Sequence, residues 1–167
     1  MRLSVVPFLL PPVFGRAATR RLAFRTVSQI GIRYPHSALS AGRAGSVSGG
    51  DRLPWLPADE SAATGADNHA PLAGLDWQVH VYGSASPALQ TACARLELPL
   101  HVFTNGGASD PGGAGLRRDA LYLVRPDSYV AWADDAADPG RLEGFLDRHH
   151  VRGGIHSRNF RSEWKVG

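Results

Sequence analysis

Asp76-Trp77-Gln78-Val79-His80-Val81-Tyr82-Gly83 alternates in a way that decides the fold. Trp77, Val79 and Val81 fall on one side and Gln78, His80 and Tyr82 on the other, the two-residue period of a strand, and Gly83 ends it. Ser86-Pro87 follows, a capping residue and then a proline suited to the first helical position. Leu89, Ala92, Cys93 and Leu96 come next at helical spacings, which predicts a helix with one buried stripe. Leu98 to Phe103 reads as a second strand, and a strand, short helix and strand make a right-handed parallel crossover.

Beyond it, Asn105 to Gly115 carries five glycines and no apolar period, so a long loop is expected. Ala120 to Val124 and Tyr129 to Trp132 are two strands separated by Arg125-Pro126-Asp127-Ser128, which predicts an antiparallel hairpin. Asp138-Pro139 opens a last helix in which Leu142, Phe145, Leu146 and His149 share a face, ended by Gly153-Gly154 at the latest. The order strand, helix, strand, loop, strand, strand, helix is that of a thioredoxin-like α/β domain whose middle helix is shortened or lost.

Upstream of residue 75 the character changes. Residues 41–75 are rich in Gly, Ser, Ala, Pro and Asp without an apolar period, so irregular, linker-like backbone is expected there, with the ordered domain beginning after it. Residues 1–50 hold seven arginines and no acid, whereas residues 51–167 hold eleven Lys/Arg against fifteen Asp/Glu. The two parts are electrostatically different pieces. A nucleic-acid arm is disfavoured because the arginines are dispersed and no aromatic platform accompanies them. A targeting peptide fits the apolar run Leu3 to Phe14 better, but Pro7, Pro11 and Pro12 interrupt it, and the run is too short to span a bilayer. The favoured reading is a surface or interdomain segment of a longer enzyme.

The 43% apolar and 20% charged composition suits one globular core. A single cysteine, Cys93, excludes an intrachain disulfide and a Cys-x-x-Cys redox or zinc pair, and its place on the helical stripe reads as a buried small hydrophobe. His80 and His101, with His149, His150 or His156, lack metal-site spacing and read as histidines in partly polar surroundings at sheet edges. There is no Gly-x-Ser-x-Gly elbow. Gly113-Ala114-Gly115-Leu116-Arg117-Arg118 has arginine where a dinucleotide fingerprint needs its third glycine, and it precedes a strand instead of following one. Trp55, Trp77 and Trp132 read first as packing residues.

Three segments in order carry a family resemblance: Ser28 to Ser40 (SQIGIRYPHSALS), Gly50-Asp51-Arg52-Leu53-Pro54-Trp55, and Leu123 to Trp132 (LVRPDSYVAW). Together they resemble the C-terminal third of FAD-dependent aromatic-ring hydroxylases of the phenol and pentachlorophenol hydroxylase type. The resemblance implies a thioredoxin-like domain without redox cysteines, and an intact enzyme that uses FAD and NAD(P)H to hydroxylate an aromatic ring. Gly50-Asp51 is tempting as the family's flavin-binding Gly-Asp pair. Its continuation matches the later Gly-Asp-Arg-x-Pro segment instead, so a structural turn is expected. Ser128 stands where the family's hairpin commonly has glycine, which weakens a tight turn needing a positive dihedral.

These readings lead to an α/β protein with a thioredoxin-like domain over 75–150, an N-terminal extension and linker over 1–74, and a tail over 151–167. The tail's Arg152, Arg158, Arg161 and Lys165, interleaved with Phe160 and Trp164, match nothing in the family. No catalytic, cofactor-binding or metal-ligating residue is assigned, and no cofactor is expected to bind this chain alone. The expected partner is the FAD-binding and substrate domain of a parent enzyme, or a homologous subunit, in the cytoplasm, with neither nucleic acid nor a membrane span. The rival reading is a free-standing thioredoxin-like module that binds proteins without redox activity.

Overall fold

The computed structural model describes residues 33–57, 67–104 and 111–153. The chain divides into two units, Met1–Arg33 and Tyr34–Gly167, and every element below belongs to the second. The N-terminal apolar run with its prolines, the glycine-rich residues 105–110, and the tail from residue 154, His156 included, lie outside the described residues.

Six strands form one sheet: β1 (Ala41–Ala44), β2 (Val47–Ser48), β3 (Gln78–Tyr82), β4 (Leu100–Phe103), β5 (Leu121–Val124) and β6 (Val130–Asp134), in the order β2-β1-β6-β5-β3-β4. Helix α1 (Pro87–Arg95) joins β3 to β4, which run parallel, and α2 (Pro139–His149) follows β6. β5 pairs antiparallel with both β3 and β6, as the hairpin reading required. The chain is thus a mixed α/β structure, and both helices start as their caps direct. Ser86 Oγ accepts from the Leu89 amide and Asp138 Oδ1 from the Arg141 amide, each ahead of a proline at the helix start. α2 stops at His149 because His150 turns left-handed, at φ 53°.

Ordered backbone begins earlier than the composition of 41–75 suggests. β1 lies parallel to β6, with Ala41 opposite Trp132, and β2 folds back against β1. The signal is missed because β1 reads Ala-Gly-Arg-Ala, with no β-branched residue and three exposed positions. Its place is set by pairing. Gly42, at φ +71°, lets it pass Ala133, whose carbonyl oxygen a Cβ would approach to 2.1 Å.

The sheet has two unlike faces. Val79, Val81, Leu121, Leu123 and Trp132 meet Leu89, Cys93, Leu142, Phe145 and Leu146 of the two helices. On the opposite face Tyr82, Tyr122, Val124 and Val130 meet Leu53, Leu56, Leu72 and Leu116, which come from irregular chain and a 3-10 turn (Ala70–Gly74). Every residue of β3 is therefore buried, including Gln78, His80 and Tyr82. The reading of His80 as a sheet-edge histidine is corrected: β3 lies between β5 and β4, and the irregular layer covers it. His101 does sit on the edge strand, directly opposite His80.

The β5–β6 hairpin closes tightly despite Ser128. Ser128 takes φ +70°, and its amide donates to the Arg125 carbonyl at 3.0 Å. Asp127 supports the turn by accepting from the Tyr129 amide and pairing with Arg125. A serine held left-handed carries strain that glycine does not. Ser128→Gly is expected to raise stability by about 0.5–1 kcal/mol, net of glycine's freer unfolded chain. An unchanged or lower urea midpoint would show that the turn is unstrained.

Candidate functional site

The most polar buried region joins β3 to the irregular layer. Asn68, 2% exposed, donates through Nδ2 to the Pro54 carbonyl and to the Tyr82 hydroxyl, both at 2.8 Å, and its Oδ1 accepts from the Leu56 amide at 2.7 Å. The Tyr82 hydroxyl proton is left to face His80 Nδ1 over a long 3.4 Å, while His80 Nε2 lies 3.1 Å from Gln78 Oε1. Gln78 Nε2 donates onward to the Pro71 carbonyl at 3.4 Å. This chain of donors runs one way and assigns the tautomer: Gln78 Oε1 can only accept, so the His80 proton sits on Nε2.

Rings close the cluster. Phe103 stacks on Tyr82 at 5.2 Å between centroids and lies 5.0 Å from His80, and His101 is 5.5 Å from His80. Burial, and then His101 and His69, push the His80 pKa down to about 3, so the imidazole is neutral. Burial also raises the Tyr82 phenol and lowers His101. On β5, Tyr122 does the parallel job: its hydroxyl donates to the Ala44 carbonyl at 3.1 Å and accepts from the Arg117 amide at 2.7 Å. Two tyrosine hydroxyls on adjacent strands thus fasten the irregular chain to the sheet. These groups bind backbone and one another, so the arrangement holds structure; it offers no exposed nucleophile or acid–base pair.

The residues singled out from sequence fall elsewhere. Gly50-Asp51 is a turn filled by its own chain: the Gly50 amide donates to the Val130 carbonyl at 2.7 Å, and Asp51 accepts from the Ser48 amide. A Cβ at Gly50 would come within 2.5 Å of the Tyr34 carbonyl oxygen, so the turn is closely packed on its own chain. Gly115 packs on the β1–β2 turn, its carbonyl accepting from both the amide and hydroxyl of Ser46. At both turns the glycine amide is committed within this chain, Gly50 to Val130 and Gly115 to the Gly112 carbonyl at 2.9 Å, unlike the free amides of a phosphate cradle.

Cys93 is buried against Leu89, and burial lifts its thiol to about 11, away from reactivity. Among the described residues no group of three or more His, Cys, Asp or Glu could hold a metal ion, and no helix is long and apolar enough to cross a membrane. Trp132 is buried and stacks on Phe145, and Trp77 packs against the same core. The packing reading of Trp55 is corrected: it is 58% exposed, because its neighbours Leu53 and Leu56 take the buried positions. Asn68 and Asp67 were missed, lying in a stretch whose composition reads as linker. The available signal was Gln78-x-His80-x-Tyr82, three polar groups on one face of a strand that need partners once buried.

The family model for the aromatic-ring hydroxylase C-terminal region matches residues 47–150. Tetracenomycin A2 monooxygenase-dioxygenase of Streptomyces glaucescens is 32% identical over 131 residues, covering 71% of this chain and 20% of the relative. This chain therefore spans about a fifth of that relative's length. Among solved structures, the substrate-free rebeccamycin biosynthetic enzyme RebC is 26% identical with a TM-score of 0.52, over 85% of this chain and 26% of its own. OxyS anhydrotetracycline hydroxylase of Streptomyces rimosus is similar in fold, with a TM-score of 0.53 at 23% identity, over 92% of this chain and 29% of its own.

Two outcomes follow from the polar cluster. Asn68→Ala strands two backbone groups and the Tyr82 hydroxyl, and it should cost about 2–4 kcal/mol in urea unfolding; a loss below about 1 kcal/mol would show that Asn68 is not the fastener. The second concerns pH. The folded pKa of His80 lies below its unfolded value of 6.5, so its contribution is fully present above pH 6.5 and is lost as pH falls toward about 3. Between pH 6.5 and 5 the loss should approach about 2 kcal/mol, measured as the difference in pH dependence between wild type and His80→Gln. Equal pH slopes in the two proteins would contradict a neutral buried imidazole.

Proposed function

This chain belongs to the aromatic-ring hydroxylase C-terminal family, and from that membership we propose that it serves as the C-terminal domain of a FAD-dependent aromatic-ring monooxygenase. Its role in that reading is folding support, packing or subunit contact, and it holds no flavin by itself. The observation that carries the reading is the fate of the two glycine turns: Gly50 and Gly115, the positions where a nucleotide could have been cradled, are occupied by backbone and side chains of this same chain.

The β3-α1-β4-β5-β6-α2 unit is read as thioredoxin-like, with Cys93 turned into the core and no second cysteine in the sequence. The polar cluster at His80 and Tyr82 is a structural seam in this reading. Hydride and oxygen chemistry belong to the cofactor and to the portion of a family enzyme that binds it. The expected partner is that portion, and a single buried thiol is compatible with a cytoplasmic setting.

Mixing the purified chain with excess FAD and following flavin absorbance through gel filtration tests the proposal. Flavin is expected in the small-molecule fractions, with none beyond trace in the protein peak. Stoichiometric co-elution, or hydroxylation of a phenol by this chain with NADPH and FAD, would overturn it.

A further inference from the structure

Four large apolar side chains are exposed among the described residues: Tyr34, Trp55, Leu75 and Val102. Isolated exposed apolar residues are ordinary and mean little. Trp55 is exposed, and its indole nitrogen is held by a hydrogen bond. The single side chain of Asn68 grips the backbone on either side of it, accepting from the Leu56 amide at 2.7 Å and donating to the Pro54 carbonyl at 2.8 Å. The neighbouring Asp67 fixes the ring itself, Oδ2 accepting from the indole Nε1 at 2.9 Å. Asp67 is in turn held by the amides of His69 and Ala70, at 3.0 and 2.9 Å from Oδ1. Leu53 and Leu56, 2% and 6% exposed, nail the segment to the sheet below.

An aromatic side chain ordered in advance loses little freedom when a partner closes over it, and such tryptophans are the ones that dominate interface affinity. We propose that Trp55 is the anchor by which this domain docks against the remainder of an aromatic-ring hydroxylase chain, its indole entering an apolar recess there. The proposal rests on the function argued above and names the surface that serves it. The occupant follows from chain length and position. The matched relatives carry roughly three quarters or more of their length outside the shared region, since it covers 20% of the tetracenomycin enzyme and 26% of RebC. The family match runs over residues 47–150, so Trp55 lies in its N-terminal part, the side on which a C-terminal region joins the rest of such a chain.

The test titrates this chain with the remaining portion of the tetracenomycin A2 monooxygenase-dioxygenase, expressed without its own matched region, by calorimetry. Wild type is expected to bind. Trp55→Ala should weaken binding about tenfold or more, Trp55→Phe by less, and Val102→Ser, an exposed apolar site elsewhere, hardly at all. Melting midpoints check that the variants are folded, and Trp55→Gln repeats the measurement with a side chain suited to water. Wild-type affinity in folded Trp55→Ala or Trp55→Gln overturns the docking surface while leaving the domain's role intact. No binding by wild type overturns both, and self-association through Trp55 in place of binding overturns the choice of partner.

Discussion

A sheet whose helices, among the described residues, pack on one face must cover its other face with something, and here the cover is largely backbone without regular hydrogen bonding. Such backbone can be buried only if its amides and carbonyls find partners. Tyr82 and Tyr122 meet that need from within the sheet, each pairing a large apolar ring with a hydroxyl that reaches across the layer, Tyr122 directly to Ala44 and Arg117 and Tyr82 through Asn68 to residues 54–56. The rest of the second face depends on this. Leu53, Leu56 and Leu72 reach the core because the chain that bears them is tied down between them.

The helix-covered half was legible because it obeys simple periods. Val79 and Val81 alternate, Leu89 to Cys93 and Leu142 to Leu146 recur at helical spacing, and Ser86-Pro87 and Asp138-Pro139 announce both helix starts. The other half was not, for the same physical reason. Its contacts are made by isolated residues in aperiodic chain, and its strands are short: β2 has two residues and β1 contains glycine. Strand identity there is imposed by β6 from about 90 residues away. The polar side of β3 was seen as polar, yet alternation cannot say whether a polar face meets water or buried partners. Likewise the departure at Ser128 was visible, but not that the flanking strands would hold the turn closed regardless.

The site level shows the same division. Motif logic set Gly50-Asp51 apart from a flavin-binding pair because its context was wrong, and in the structure the turn packs against Tyr34 and bonds to Val130 of its own chain. It could not find Asn68 or Asp67, whose importance comes from being adjacent in sequence while pointing to different tasks, one inward to Tyr82 and one outward to Trp55. Fold alone would not have assigned a role to either residue.

The parallel pairing of β1 with β6 also constrains how the protein is made. Ala41 leaves the ribosome long before Trp132 exists, and at ordinary elongation rates of about 5–20 residues per second the delay is roughly 5–20 s. During that interval the N-terminal strand has no template, whereas β3, α1 and β4 can already assemble among themselves. The outermost part of the sheet is therefore the last to settle although it is the first to be translated, and nascent chains stalled before residue 130 should display it to any chaperone waiting at the tunnel exit.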